Sequence, residues 1–312
     1  MEMIPLSNIT MFKTPEGADK YLAAYDATLA LWPVPHEAID LPTQFGTTHI
    51  HVSGSRDLPP LIMIHGFGFS STQWYPNVGS MSRYFRVYTP DVIDQMGKSI
   101  PTRPLQTREN YAAWLIEVFD ALKIERAPVI GHSYGGWLTL NLALATPQRV
   151  ERIVLLSPAA SFVPLVREFY IRAMSAGLLP VRPLIYSMIQ WMTTLPSVKG
   201  EAVVEQFVMG LKHFKLQQAG FPTVYTDEEL RQICIPTLLL IGEHEIIYKP
   251  GPVLERAKRL IPTIEAELIP GGGHAFTIDQ AESTNKRILK FLNPSGKALS
   301  ELPQQDFSVL AV

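Results

Sequence analysis

Residues 127–145 read APVIGHSYGGWLTLNLALA. An apolar run enters, a glycine-rich turn (Gly131-His132-Ser133-Tyr134-Gly135, then Gly136) interrupts it, and a stretch rich in helix formers leaves. By itself G-x-S-x-G is a weak signal. With Gly and Ser each at roughly 7% usage it arises by chance in about a tenth of chains of this length. The context strengthens it, because strand, tight turn and helix in that order form a nucleophile elbow that exposes a serine hydroxyl at a strand end. Glycines suit such a turn, where the nucleophile's backbone is strained and neighbouring chain comes close. The plain alternative is an ordinary glycine-rich strand-to-helix turn.

Outward from this turn, short apolar runs recur, each bounded by Pro, Gly or Arg: LIMI (61–64), RVYTP (86–90), PVIG (128–131), RIVLL (152–156), TLLLI (237–241) and EAELI (265–269). Runs without alternation suit strands buried on both faces. Helical stretches separate most of them: 110–122, 137–145, 253–260 and 282–292. Alternation of this kind predicts crossover units and a parallel sheet covered on both sides. Ahead of the sheet, Thr14-Pro15-Glu16 predicts a helix start, with Thr14 as N-cap, and strands are expected near Ala38–Leu41 and Thr47–Val52. Residues 159–230 break the rhythm with helical apolar stretches and no good strand, which reads as a helical insertion. From about Pro294 no strong pattern remains.

The chain has 312 residues, 46% hydrophobic and 18% charged, enough apolar mass for a full core and unlike a disordered chain. With 27 Lys and Arg against 29 Asp and Glu, the strongest electrostatic case for nucleic-acid binding is absent. One cysteine, Cys234, cannot form an intramolecular disulfide, which fits a cytoplasmic protein. No Cys/His spacing of a zinc site is present. The N-terminus has no basic start followed by a continuous apolar run, so no signal peptide is expected. Ile153–Val166 and Pro183–Val198 are too short or too interrupted for a spanning helix, which needs about 20 predominantly apolar residues. A soluble protein is expected.

A serine needs a base. Of eight histidines, His36, His49 and His51 precede the main sheet, His65 and His132 sit inside glycine motifs and suit structural hydrogen bonding, His213 lies in the insertion, and His244 neighbours the candidate acid and reads as a loop residue. His274 follows the last strand in Gly271-Gly272-Gly273-His274, a turn able to lean a side chain over the elbow; it is the candidate base. The orienting acid is sought in Gly242-Glu243-His244-Glu245, after the strand TLLLI, since strand ends of a parallel sheet face the crevice where ligands bind. Glu245 is the choice and Glu243 its competitor. The order Ser133, Glu245, His274 is that of a serine hydrolase triad on such a sheet. For the developing oxyanion, backbone N–H groups are expected from Phe67, in His65-Gly66-Phe67-Gly68 after LIMI, and from Tyr134 next to the nucleophile.

These motifs together resemble the α/β-hydrolase superfamily, from about Ala38 to Leu292. More narrowly the chain resembles small bacterial carboxylesterases of the carboxylesterase NP-like kind, through MFKTPEGADKYLAAYDATLALWPVP (11–35), WYP (74–76), FPTVYTDEELR (221–231) and GEHEIIY (242–248). The resemblance implies an α/β-hydrolase fold, a mostly parallel central sheet flanked by helices with a helical cap insertion, and a metal-free serine esterase without a cofactor. The corresponding division is 1–158 for the first part of the core, 159–230 for the cap, 231–295 for the rest of the core and 296–312 for a tail. Two departures stand out. The loop Asp91–Ser99 is one residue longer than the family's D-x-x-G-x-G-x-S and lacks one glycine, and the acid is glutamate where the superfamily more often has aspartate.

The expected reaction is hydrolysis of a small-molecule carboxylic ester through an acyl-enzyme. Serine at 133 argues against the aspartate-nucleophile dehalogenases and epoxide hydrolases. Lactonase, amidase, perhydrolase and carbon–carbon-bond hydrolase readings share the triad and stay open, as does a ligand receptor on the same fold. No Rossmann or P-loop fingerprint calls for a nucleotide. The insertion's Phe162, Phe169, Met188, Trp191, Met192 and Phe207 read as cap core and pocket lining, with docking to a membrane or partner as the alternative. Apolar lining predicts apolar acyl or aryl groups. A homodimer stays open, since oligomeric state has no signature here.

Overall fold

Residues 11–215 and 221–293 are described by a computed structural model; the expected tail (296–312) and the first ten residues lie outside them. In chain order the elements are α1 (Pro15–Leu29), β1 (His36–Thr43), β2 (Gly46–Ser53), β3 (Pro60–Ile64), a 3-10 turn (Ser71–Trp74), α2 (Tyr75–Met81), β4 (Arg86–Pro90), β5 (Ile100–Pro101), α3 (Arg108–Ala121), β6 (Ala127–His132) and α4 (Tyr134–Ala145). After a second short 3-10 turn come β7 (Val150–Leu156), α5 (Arg167–Leu178), α6 (Arg182–Met192), α7 (Ala202–His213), α8 (Asp227–Arg231), β8 (Thr237–Gly242), α9 (Pro250–Leu260), β9 (Ile264–Ile269), α10 (Phe276–Asp279) and α11 (Ala281–Leu292). Thr14 caps α1 as expected, its hydroxyl accepting from Gly17 N at 3.0 Å.

The sheet runs β1-β2-β4-β3-β6-β7-β8-β9, with β5 paired to β2. β1, β2 and β5 pair antiparallel, while β4, β3, β6, β7, β8 and β9 are mutually parallel. Alternate residues of the central strands serve opposite layers. Ile62 and Ile64 face the core shared with Trp114 and Val118 of α3, whereas Leu61 and Met63 join Val78 of α2 and Ile288 of α11. Both faces are therefore covered, which is why these strands are apolar throughout.

Register fixes the working edge. Ile64 pairs with Gly131, His132 with Leu156, Leu156 with Leu240, and Gly242 with Ile269. The loops that leave after these residues emerge along one rim, at the carboxyl ends of the parallel strands. Above it, the described part of 159–230 contributes α5, α6, α7 and α8. Of the apolar residues singled out there, Phe162, Met188, Met192 and Phe207 are buried, and Phe169 and Trp191 pack against the same core. A different set, Tyr170, Ile171, Met174 and Leu178 of α5, is exposed.

Among elements the sequence did not predict, α2 carries Pro76, Gly79 and Ser80, poor helix formers. It is held from outside: Asn77 donates to Thr277 O at 3.0 Å and to Asn285 Oδ1 at 2.8 Å on the α10–α11 side. No helix of the described residues is long and apolar enough to cross a membrane.

Candidate active site

Ser133 directly follows β6 and immediately precedes α4, with φ +51° and ψ −112°, a strained conformation for a non-glycine residue. The neighbouring glycines make the turn possible. A Cβ on Gly131 would sit 2.2 Å from Gly135 O, and one on Gly135 would sit 2.1 Å from Ile64 O. The strain is held by hydrogen bonds, from Ser133 N to Leu156 O at 2.8 Å and from Ala159 N to Ser133 O at 3.0 Å.

His274 Nε2 lies 3.0 Å from Ser133 Oγ, and its Nδ1 lies 2.8 Å from Glu245 Oε2. All three residues are buried, at 7%, 6% and 7% exposure for Ser133, His274 and Glu245. Glu245 Oε1 accepts from the backbone N–H of Ile246 (2.9 Å) and Ile247 (3.1 Å). Burial alone would raise this carboxyl; the charge and hydrogen bond of His274, with the backbone donors, outweigh it and hold Glu245 below the usual glutamate range. Glu243 is turned to another task, its Oε2 accepting from Gly271 N at 2.9 Å. His244 donates its backbone N–H to Gly272 O at 2.8 Å. The arrangement brings together a hydroxyl, an imidazole able to take its proton, and a carboxylate fixing the imidazole's other nitrogen.

The loop 65–68 is built by its neighbours. His65 Nε2 accepts from Val92 N at 2.8 Å, which leaves the proton on Nδ1 to donate to Gly66 O at 2.8 Å. Gly66 N donates to Gln73 Oε1 at 3.0 Å and Gly68 N to Gln95 Oε1 at 3.1 Å. Between these two occupied amides, the Phe67 N–H has no hydrogen-bond partner among the described residues. The Phe67 side chain is 44% exposed, its ring edge-on to Tyr134 at 6.0 Å. Tyr134 is the first residue of α4, the helix end at which amide dipoles leave partial positive charge.

The longer loop 91–99 has a structural job. Asp91 accepts from Ser71 N and Lys98 N at 2.7 Å each, and Gln95 reaches Gly68. Gln95 Nε2 donates in turn to Asp94 Oδ1 at 3.2 Å, whose other oxygen accepts from Tyr111 Oη. Burial raises the Asp94 carboxyl above the usual aspartate range. Gln73 and Gln95 were missed by the sequence reading; a lone glutamine carries no motif.

The insertion reaches the site at two places. Gln206 of α7 accepts from Thr72 Oγ1 and meets Ser70 Oγ with its Nε2, both at 2.8 Å, while Phe207 closes on Gly68. At the end of α6, Met192 O accepts from Ala275 N at 3.2 Å. The other predicted bystanders stay apart: His36, His49 and His51 belong to β1 and β2, and His213 ends α7. Among the described residues no group of three or more His, Cys, Asp and Glu is arranged to hold a metal ion.

Residues 61–287 match the model of the alpha/beta hydrolase family. The chain is 41% identical over 288 residues to the uncharacterized carboxylesterase nap of Bacillus subtilis (strain 168), covering 89% of this chain and 95% of that protein. It is 40% identical over 287 residues to carboxylesterase YbfK of the same organism, covering 90% and 96%. The crystal structure of naproxen esterase (carboxylesterase NP) from Bacillus subtilis agrees with a TM-score of 0.84 at 40% identity, over 89% of this chain and 99% of that one. A meta-cleavage product hydrolase, CumD, at 21% identity and a TM-score of 0.70 over 82% of this chain and 98% of that one, shares the fold alone.

Proposed function

The chain belongs to the alpha/beta hydrolase family, and on that premise we propose that it is a serine carboxylesterase that hydrolyses apolar carboxylic esters through an acyl-enzyme. The observation that carries this reading is the continuous line from Ser133 Oγ through His274 to Glu245, with both hydrogen bonds at 3.0 Å or less. Relatives of 40 and 41% identity that are described as carboxylesterases support it.

The steps follow from the geometry. His274 Nε2 takes the Ser133 proton as Oγ attacks the ester carbonyl carbon. Glu245 holds the Nδ1 proton and stabilises the imidazolium. The carbonyl oxygen, now an anion, is met by the N–H groups of Phe67 and Tyr134. His274 then gives its proton to the departing alcohol, leaving acyl-Ser133. Water, deprotonated by the same nitrogen, attacks the acyl carbon; the acid leaves and Ser133 recovers its proton. Charge and protons balance over the triad and substrate together, and the cycle returns Ser133 and His274 to their starting states, so these steps call for no cofactor.

The described residues of 159–230 act as a cap over the described residues of the core segments 1–158 and 231–295. Phe207 against Gly68 brings an apolar side chain of this cap to the rim, which favours apolar acyl or aryl groups. Cys234 is exposed and unpaired, which suits a reducing cytoplasm. The test is steady-state hydrolysis of p-nitrophenyl acetate, butyrate and octanoate by wild type and Ser133→Ala. Turnover by the wild type, with loss of nearly all of it in a folded Ser133→Ala protein, is expected. Equal activity in the two proteins would remove Ser133 as nucleophile; an inert wild type would turn attention to amides and lactones.

A further inference from the structure

A buried chain of hydrogen bonds joins the loop 65–68 to the backbone of His274, and each of its directions is forced. Gly66 N–H can only donate, so the end of the Gln73 amide it meets at 3.0 Å is Oε1. The opposite end is then Nε2, a donor, 2.8 Å from His132 Nδ1. His132 Nδ1 therefore accepts, its proton sits on Nε2, and Nε2 donates to the His274 carbonyl oxygen at 3.0 Å. Gln73, His132 and His274 are all buried. Burial, and next the neighbouring His274, lower the His132 pKa to about 3, in keeping with a ring that must stay neutral to accept at Nδ1.

We propose that Gln73 and His132 are positioning residues that lock the oxyanion loop to the His274 loop, so that the Phe67 N–H and His274 Nε2 are held as one unit. The proposal rests on the roles given above to Ser133, His274 and Phe67. Two further features point the same way. A Cβ on Gly66 would come within 3.1 Å of His132 Nδ1 and 3.4 Å of Gln73 Oε1, so the loop approaches this chain closely. The His132 ring also lies beside that of His274, with centroids 5.2 Å apart. Breaking one link strands a buried donor or acceptor and releases both loops. The cost then falls on the transition state, where donors and base must be placed together.

The experiment uses three single variants and one double. Gln73→Met removes the links to Gly66 N and to His132, and His132→Gln removes the second of these while retaining a donor near the Nε2 position. His132→Asn retains an acceptor near Nδ1 and loses the bond to His274 O. Each is expected to lower kcat on p-nitrophenyl butyrate about 10- to 100-fold with KM within about twofold. Affinity for an aryl trifluoromethyl ketone, which mimics the tetrahedral adduct, should fall by the same factor as kcat/KM. The double variant Gln73→Met/His132→Gln should be no worse than the poorer single, because the link His132→Gln removes is already broken in Gln73→Met; multiplied effects would overturn the relay. Thermal unfolding checks that each variant folds.

A second readout does not depend on turnover. Nitrogen-15 shifts should show His132 as the neutral Nε2–H tautomer from about pH 5 to 9, and Gln73→Met should move the His274 ring resonances although the side chains at 73 and 274 form no hydrogen bond to each other. An Nδ1–H tautomer, or His274 resonances unmoved by Gln73→Met, would overturn the proposal whatever the activity. A wild type inert on esters would sink the esterase reading and leave the relay to be decided by these shifts. An active wild type with Gln73→Met within about threefold of it would sink the relay and leave the esterase reading standing.

Discussion

Glu245→Gln tests the heart of the site because the structure dictates how the new amide must sit. Glu245 Oε1 accepts from two backbone N–H groups, of Ile246 and Ile247, and Oε2 faces His274 Nδ1 at 2.8 Å. A glutamine has one acceptor oxygen. Placed against the two N–H groups, it puts the NH2 opposite His274; turned the other way, it sets two buried donors against a third. The first orientation wins, and a donor facing Nδ1 forces the imidazole to carry its proton on Nε2. That nitrogen, 3.0 Å from Ser133 Oγ, can then no longer accept the serine proton. A wrong tautomer of this kind costs about 10⁴ in kcat, or about 5.5 kcal/mol, with the geometry otherwise intact. The assay is kcat and KM on p-nitrophenyl butyrate near pH 7.5, with a thermal melt to check the fold. Glu243→Gln, which disturbs only the bond to Gly271, should stay within about fivefold of wild type. A Glu245→Gln enzyme within tenfold of wild type, or a larger loss in Glu243→Gln, would refute the assignment.

Three further outcomes are expected. Phe67→Ala removes a half-exposed ring but keeps the backbone donor, so kcat should change by less than about fivefold; Phe67→Pro deletes the N–H and should cost about 10²–10³ in kcat, and equal losses in the two would refute a backbone role. Gly68→Ala faces both a φ of +74° and a Cβ only 2.6 Å from Phe207, and should destabilise by about 1–3 kcal/mol in urea titration while lowering kcat; a neutral effect on both would refute the tight packing. Acid should weaken the fold through His132: its folded pKa of about 3 lies below the ordinary 6.5, so its contribution is complete above about pH 6.5 and is lost as pH falls and the unfolded chain takes the proton. At about pH 4.5 that amounts to roughly 2–3 kcal/mol, and a folded His132→Asn should show a shallower loss of stability between pH 7.5 and 4.5; identical slopes would refute it.

The elbow was legible because everything that makes it is local: an apolar strand, glycines where backbones touch, and a helix directly after. Ser133 and His274 could be singled out for the same reason, each lying next to glycines at a strand end. Choosing between Glu243 and Glu245 needed the turn itself. Glu243 N–H bonds Ile269 O and Glu245 N–H bonds Gly242 O, and that path, not residue type, sends one carboxylate to Gly271 and the other to His274. Gln73 and Gln95 were illegible for a different reason. Gln73 links Gly66, 7 residues away, to His132, 59 residues away, and Gln95 reaches Gly68 across 27 residues, while a glutamine has no periodicity or charge to announce such a bond. The extra residue in loop 91–99 was visible, but its use became clear only when Gln95 was found holding the Gly68 amide. The short α2 was hidden because its stability comes from Asn77 and its partners across the fold rather than from helix propensity.

The contacts of the insertion make it more than a roof. Its α7 meets the loop after Gly68 through Gln206, which bridges Ser70 and Thr72, and through Phe207, against which Gly68 has no room for a side chain. Its α6 ends on the His274 loop: Met192 O takes the N–H of Ala275, one residue after His274, and Asp279 of α10 accepts from Thr193 Oγ1 at 2.7 Å and Thr194 N at 2.8 Å. One helix of the insertion is thus tied to the segment proposed to stabilise the oxyanion and another to the segment carrying His274, the proposed base. Beneath them, Gln73 and His132 tie the same two segments together. The rim is therefore braced from above and below at the same points. If a substrate pushes α6 and α7 apart, these contacts pass the load to Ala275 and Gly68, next to His274 and Phe67. Bulk in the acyl or aryl group should accordingly register in kcat as well as in KM, which a pocket lined by parts independent of the catalytic loops would not produce.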